Sequence, residues 1–275
     1  MAYEQEASVQ IRLITEASEL REAVELQQLV WRPDAVSSMQ HMRAAILHGG
    51  SVIGAFCEEK LVGFCYGFAG YDGNEPYLGS HMMAIHPAYR DLGIGMRLKL
   101  EQRLWAMQAG YGTIVWTFDP FESRNAYLNI CKLGGVVSTY IPAFYGLDDA
   151  GFPTDRFVVE WMLSSDRVVR TVSEGPQPIG DMSDYPRLLL VTCSTDKLLA
   201  AKQVPYGDLI GKSHGLRLPV PRNASSLKQS RPDLYQGWQR QVRELSMTAF
   251  AKGYQVVACH QSEPEIQDYV LERKR

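Results

Sequence analysis

The chain has no run of the about 18 to 20 apolar residues that a membrane helix needs, so no membrane partner is expected. Cysteine is scarce and odd in number: Cys57, Cys65, Cys131, Cys193 and Cys259. None forms a CxxC pair, and no Cys/His cluster has zinc spacing, so neither a metal nor a disulfide framework is expected. Reduced thiols in a cytoplasmic protein are the simplest reading. A basic excess is lacking as well. The net charge of -3 argues against a general affinity for nucleic acid, which needs a basic face. The opening MAYEQEASVQ has neither the basic nor the apolar part of a secretory signal.

What is present is an ordinary globular composition, 45% apolar and 21% charged, over 275 residues, enough for one large domain or two small ones. Alternation at Val9–Thr15 predicts a half-buried strand. From Ala17 to Trp31 a helical stripe runs through Leu20, Ala23, Val24, Val30 and Trp31, with Leu26 at its edge and Gln27 interrupting it, and Pro33 stops the helix. A short helix is expected over Ser38–Leu47, closed by Gly49 and Gly50. Three strands follow at Val52–Cys57, Leu61–Ala69 and Tyr77–Ile85. A long amphipathic helix then runs from Gly93 to Gly110 through Ile94, Leu98, Trp105 and Ala109. A strand at Thr113–Phe118, a helix at Ser123–Leu133 and strands at Val136–Tyr145 and Phe157–Leu163 complete a mixed α/β domain over residues 1–165.

Residues 166–186, rich in Ser, Gly, Pro and Asp, read as a connector. Residues 187–275 form a smaller α/β subdomain: a strand at Leu188–Cys193, an irregular stretch to about Ser230, a helix at Pro232–Lys252 and strands near Gln255–His260 and Asp268–Leu271. That helix carries Leu234, Trp238, Val242, Leu245 and Ala249 on one face, which must be covered by the first domain or by another subunit. Helix, Gly-Tyr and strand recur between Ala106–Trp116 and Ala249–Cys259. The likeness is open between a half-copy of one supersecondary unit and convergent helix–strand chemistry. The stretch Gly207–Ser213 imitates a phosphate-binding P-loop, but only three residues separate its glycines where four are needed. The lysines and arginines between Lys197 and Lys228 read as a solvated loop face.

The chemistry is concentrated in Met82–Gly95, MMAIHPAYRDLGIG. A strand ends at His86–Pro87, a turn follows, and a helix opens at Gly93. The unpartnered amides and positive dipole end of that helix suit a pyrophosphate, and Gly93 and Gly95 let the backbone come close. Arg90 stands three residues before the first glycine.

The segment resembles the R-x-x-G-x-G/A acyl-CoA signature of the GNAT superfamily of N-acyltransferases, and the likeness runs from about Val9 to Leu163. Thr117–Pro120, Arg124–Ala126, Lys132–Gly134, Tyr145–Gly146 and Asp155–Trp161 are similar to a bacterial acetyltransferase subfamily with an extra C-terminal region. The resemblance implies a mostly antiparallel sheet flanked by helices, followed by a C-terminal extension resembling half a GNAT unit. It implies acetyl-CoA, or another acyl-CoA, as co-substrate. The backbone of Met83, Ala84 and Ile85 would pair with the pantetheine arm, and the strands bearing Met83 and Thr113–Phe118 would splay to admit it. The amides of Asp91, Leu92, Gly93, Ile94, Gly95 and Met96 would hold the pyrophosphate, with Arg90 near the phosphates and Arg124 and Asn125 as further contacts.

Acyl transfer to an amine needs a base, and His81 is the candidate, with a structural or substrate-lining role as the alternative. Strand alternation places His81 on the side of Met83 and Ile85 unless a bulge intervenes. His86, beside the turn, reads as structural. GNAT enzymes often protonate the thiolate with a tyrosine four residues before a helix-ending glycine, and here that position is Ile130. Tyr127, about 60° around the helix, and Tyr145 are the substitutes, unless the thiolate leaves unaided. Asp155–Arg156 is either a substrate anchor or a surface ion pair. The expected function is acylation of a small, amino-acid-like amine, with a non-catalytic acyl-CoA-binding or regulatory module as the alternative. A homodimer is compatible with the sequence.

Overall fold

The computed structural model describes residues 9–31, 36–193, 199–203 and 209–274. Pro33, Lys197, Gly207 and Asp208 lie outside them. Two compact units result: Met1–Trp116 with Met162–Ser164, and Thr117–Trp161 with Ser165–Arg275. The second runs through the residues read as a connector.

In the first unit the strands β1 (Gln10–Leu13), β2 (Ser51–Cys57), β3 (Lys60–Tyr71) and β4 (Pro76–Ile85) lie side by side, each antiparallel to the next. Strand β5 (Thr113–Phe118) then pairs parallel to β4. Helices α1 (Ala17–Val30) and α2 (Met39–Leu47) cover one face. Leu20, Ala23, Met42, Phe56, Phe64 and Tyr66 form the core there. Helix α3 (Ile94–Gln108) covers the other face, where Ile94 and Leu98 meet Ile53, Val62 and Cys65. Ser38 caps α2 by accepting from the His41 amide. The stripe of α1 differs from expectation. Leu26 and Gln27 are both buried, Gln27 fully. Its amide donates to the Ala23 and Ser37 carbonyls and accepts from the Ser37 amide, so the polar end costs little inside.

The second unit has the strand order β7 (Arg156–Met162), β6 (Val136–Ile141), β11 (Tyr254–Glu263), β12 (Ile266–Arg273) and β10 (Gly215–Pro221), all antiparallel. A separate pair holds β8 (Leu189–Cys193) and β9 (Leu199–Gln203). Helix α4 (Ser123–Ala126) passes directly into a π-helix, Tyr127–Lys132, where one α-helix to Leu133 was expected. Helix α5 (Asp166–Glu174) occupies half of the expected connector, capped by Ser165. Likewise, β9, β10 and α6 (Ala224–Ser230) fill the stretch expected to be irregular.

The long helix α7 (Pro232–Ala251) buries Tyr235, Trp238, Val242, Leu245 and Ala249 against β6, β10 and β11. Leu234 is only half-buried, and Tyr235 takes its place in the apolar face. Gly110 and Gly253, which close α3 and α7, both have left-handed φ, 89° and 82°.

Asp155 is neither a substrate anchor nor the partner of Arg156 at the surface. Its side chain is 1% exposed. It accepts from the Tyr140 hydroxyl at 2.6 Å and the Ala143 amide at 2.9 Å. Arg243 of α7 donates to both its oxygens at 2.8 to 3.0 Å. Removing one partner of a buried pair strands the other charge. Arg243→Met is therefore expected to destabilise the protein by about 3 kcal/mol in urea titrations, whereas Arg240→Met on the exposed face of the same helix should stay within about 0.5 kcal/mol. Equal, small effects from both substitutions would contradict this.

Candidate functional site

Over most of its length β4 is paired on one edge only. Its antiparallel ladder with β3 runs from Tyr71–Pro76 to Gly63–Ile85. The parallel ladder with β5 is confined to Leu78–Ile114 and Gly79–Val115. From Ser80 to Ile85 the second edge has no strand partner among the described residues, and this covers Met83, Ala84 and Ile85.

Two consecutive partners of β3, Tyr66 and Gly67, face Met82 and Ser80, so His81 is the extra residue of a β-bulge. The bulge reverses the expected facing. Met83 and Ile85 pack into the α3 side. His81 instead sits with Tyr66 and Phe68, at ring-centre distances of 6.1 and 5.8 Å, on the α1–α2 side. The Tyr66 hydroxyl lies 3.4 Å from His41 Nδ1. Partial burial, and then the charge of His41, push the His81 pKa below its ordinary value.

Beyond β4 the chain forms a short 3₁₀ turn, Pro87–Tyr89, capped by the His86 ring, which accepts from the Ala88 amide at 3.2 Å. His86 is thus structural in its contacts, as expected. Arg90, Asp91, Leu92 and Gly93 are exposed, and Ile94 anchors the helix in the core. Gly93 caps α3 with φ +73°, and a Cβ there would meet no heavy atom within 4 Å. Glycine is therefore required by the backbone, and the space in front of it is open. At Gly95 a Cβ would touch only the Met83 side chain, at 3.7 Å. An open left-handed turn, exposed amides and a neighbouring guanidinium fit a pyrophosphate.

Sequence reasoning missed Lys99. It is 3% exposed, on the inner face of α3. Its amine donates to Ser80 Oγ and Gln102 Oε1, both at 3.0 Å, and Ser80 donates to the same Gln102 oxygen at 2.9 Å. The nitrogen also lies 3.7 Å from the centre of the Trp116 ring. Burial pushes its pKa down to about 7. The cluster ties α3 to the residue immediately before the bulge. The available signal was a lysine beside Leu98 with Gln102 three residues on, inside an otherwise apolar stripe.

The remaining candidates lie in the second unit. Tyr127 begins the π-helix and is 45% exposed, while Ile130 is fully buried. In a turn closed by i→i+5 bonds the two do not share the face that an α-helix would give them. Tyr145 lies in a turn, not at a strand end, because β6 stops at Ile141. It is 56% exposed, its ring is 5.3 Å from the Arg156 guanidinium, and its amide donates to Thr154. Arg124 and Asn125 are exposed on α4. Among the described residues no group of three or more His, Cys, Asp and Glu could hold a metal ion, and no helix is long and apolar enough to cross a membrane.

Residues 18–130 match the model of the acetyltransferase (GNAT) family. That stretch is a GNAT acetyltransferase domain. Among solved structures, the ribosomal-protein-S18-alanine N-acetyltransferase of Escherichia coli is 16% identical, with a TM-score of 0.48 over 57% of this chain and 95% of that one. An N-acetyltransferase of Staphylococcus aureus is 13% identical, with a TM-score of 0.49 over 57% and 99%. A phosphinothricin acetyltransferase of Sinorhizobium meliloti, solved with AcCoA, is 18% identical, with a TM-score of 0.47 over 56% and 87%. No curated protein matches the chain.

Lys99 makes the stability of the GNAT domain depend on pH. The folded amine releases its proton near 7, whereas the unfolded chain keeps it to about 10.5. Between those values unfolding takes up a proton, so rising pH opposes it, by at most about 1.4 kcal/mol per pH unit. In urea titrations from pH 7 to 9, the wild-type protein is expected to gain stability relative to Lys99→Met. Parallel profiles would contradict the assignment.

Proposed function

We propose that the chain moves an acetyl or other acyl group from acyl-CoA to the amine of a small, amino-acid-like molecule. The observation that carries this reading is the unpaired edge of β4 between Ser80 and Ile85, leading into the open turn at Gly93. An extended ligand arm can use the outward amide and carbonyl groups of Met83 and Ile85, which alternate with the β3-directed groups of Ala84, as a further strand would. The amides from Asp91 to Met96 and the Arg90 guanidinium would receive the phosphates. The thioester supplies an activated acyl group when bound.

The rest of the reaction falls to side chains. The rings of Tyr66 and Phe68 beside His81 make an aromatic surface suited to an ammonium group. A base works only in its neutral form. With its pKa below the ordinary histidine value, His81 is neutral at pH 7 and ready to take a proton from the ammonium, leaving the amine lone pair to attack the acyl carbon. The thiolate leaves without help or takes a proton from water.

His81→Gln is expected to lower kcat/KM by about 10²- to 10⁴-fold while leaving acyl-CoA affinity unchanged. His41→Gln removes a charge that opposes protonation of His81, so the acid limb of the kcat/KM profile should move to higher pH. An unchanged rate and limb would return His81 to a structural role. Release of CoA thiol across a panel of amines, monitored with a thiol reagent, tests the reaction itself, because only an enzyme releases it in an amine-dependent way.

The turn is tested separately. Gly93→Val places a branched side chain at a left-handed φ in front of the amides. Calorimetry should show a loss of CoA affinity of at least about tenfold, or 1.4 kcal/mol. A folded variant with wild-type affinity would remove the turn from the site.

A further inference from the structure

The second unit contains a cavity of about 1130 Å³ with no part in the acyl-transfer reading, although the sequence candidates Arg124 and Tyr127 line it. Its lining holds five arginines, Arg124, Arg167, Arg170, Arg222 and Arg273, against one carboxylate, Glu272. Glu272 accepts from the Tyr185 hydroxyl at 2.9 Å. The cavity is therefore strongly positive and large enough for a small molecule.

Two cysteines stand in its wall. Cys131 of the π-helix and Cys259 of β11 are 128 residues apart in sequence, yet their sulfurs are 3.4 Å apart. The Cys131 thiol also donates to the Cys259 carbonyl at 3.2 Å. Arg167 fixes the walls that carry them. It donates to Gly134 at 2.9 Å, to Ile130, next to Cys131, at 3.4 Å, and to Val257, two residues before Cys259.

We propose that Cys131 and Cys259 are a dithiol site, oxidised to an intrachain disulfide by an anionic small-molecule disulfide that the arginines draw into the cavity. Cys131 is the attacking group. It is the more accessible of the two, and the hydrogen bond from Cys259, with the charge of Arg167, pushes its pKa below the usual thiol range. The Cys259 thiol is pushed up by the same hydrogen bond and by burial, so it keeps its proton until the first step is done. Cys65 provides the contrast: burial pushes it up to about 12 and leaves it inert.

The chemistry is two thiol–disulfide exchanges. The Cys131 thiolate attacks one sulfur of the reagent, forms a mixed disulfide and expels one thiolate. Cys259 gives its proton to that thiolate and attacks Cys131 Sγ. The sulfurs close from 3.4 Å to about 2.05 Å, and the second reagent thiolate leaves and is protonated from solvent. The two cysteines together lose two electrons and two protons, and the reagent disulfide becomes two thiols.

The test uses the full chain, reduced and then exposed separately to oxidised glutathione, which is anionic, and to 2-hydroxyethyl disulfide, which is neutral. Each rate is normalised to that reagent's rate with a free cysteine peptide. Non-reducing peptide mapping is expected to find the Cys131–Cys259 link, forming at least about tenfold faster with the anionic reagent. Arg170→Gln should reduce that preference. Cys259→Ser should stop at a mixed disulfide on Cys131, and if it does not fold, the wild-type map still decides. Absence of the link, or equal modification of Cys57 or Cys65, would overturn the dithiol assignment. Equal normalised rates for the two reagents would overturn the anionic class.

Discussion

The first unit depends on holding a strand in place by one edge. A strand inside a sheet normally satisfies its amides and carbonyls on both sides, and leaving a row of them without a strand partner is costly unless water or a ligand takes over. From Ser80 to Ile85, β4 accepts that cost on the side away from β3. Its position then rests on the β3 ladder, on the side chains it sends to either face, and on the Ser80–Lys99–Gln102 cluster beneath its bulge. Burying a lysine is an expensive way to tie a helix to a strand. The expense falls beside the residue whose direction matters most, since the bulge turns His81 away from Met83 and toward the aromatic side.

The second unit solves a different problem. Its sheet is assembled from segments far apart in sequence, β6 and β7 on one hand and β10 to β12 on the other. A pairing of that kind needs a specific register. Asp155 supplies one: a carboxylate that is satisfied only when Tyr140, Ala143 and Arg243 all arrive. Any other packing of α7 would leave a buried charge with too few donors, which penalises alternatives more than it rewards the native arrangement.

Much of this was legible in the sequence where the signal was local. Arg90, Gly93 and Gly95 sit at a strand–helix junction that the local pattern indicates, and β2 to β4 announce themselves by alternation and turns. Other features escaped because tertiary context overrode the local pattern. Gln27 looked like a break in the stripe of α1, and its amide is instead satisfied by Ser37, ten residues on. Strand β10 was hidden by Pro219 and Pro221, which it tolerates because it ends the strand order. Helix α5 was hidden by the Gly-Pro that follows it, although Ser165 and Asp166 open it with an ordinary cap. A bulge at His81 and a π-turn at Tyr127 leave no periodic trace, yet they decide which way the candidate side chains face. Asp155 and Arg243 are 88 residues apart, and nothing near either one names its partner.

The Trp116 ring beneath Lys99 has an optical consequence. An ammonium held 3.7 Å from the centre of an indole perturbs its excited state far more than a neutral amine does. Because burial brings that amine to about 7, the charge over the ring changes near neutrality, with no need for the backbone to move. Trp116 thus acts as a built-in chromophore for a single proton in the interior of the first unit. Its emission would register the electrostatic state of the cluster beneath the β4 bulge.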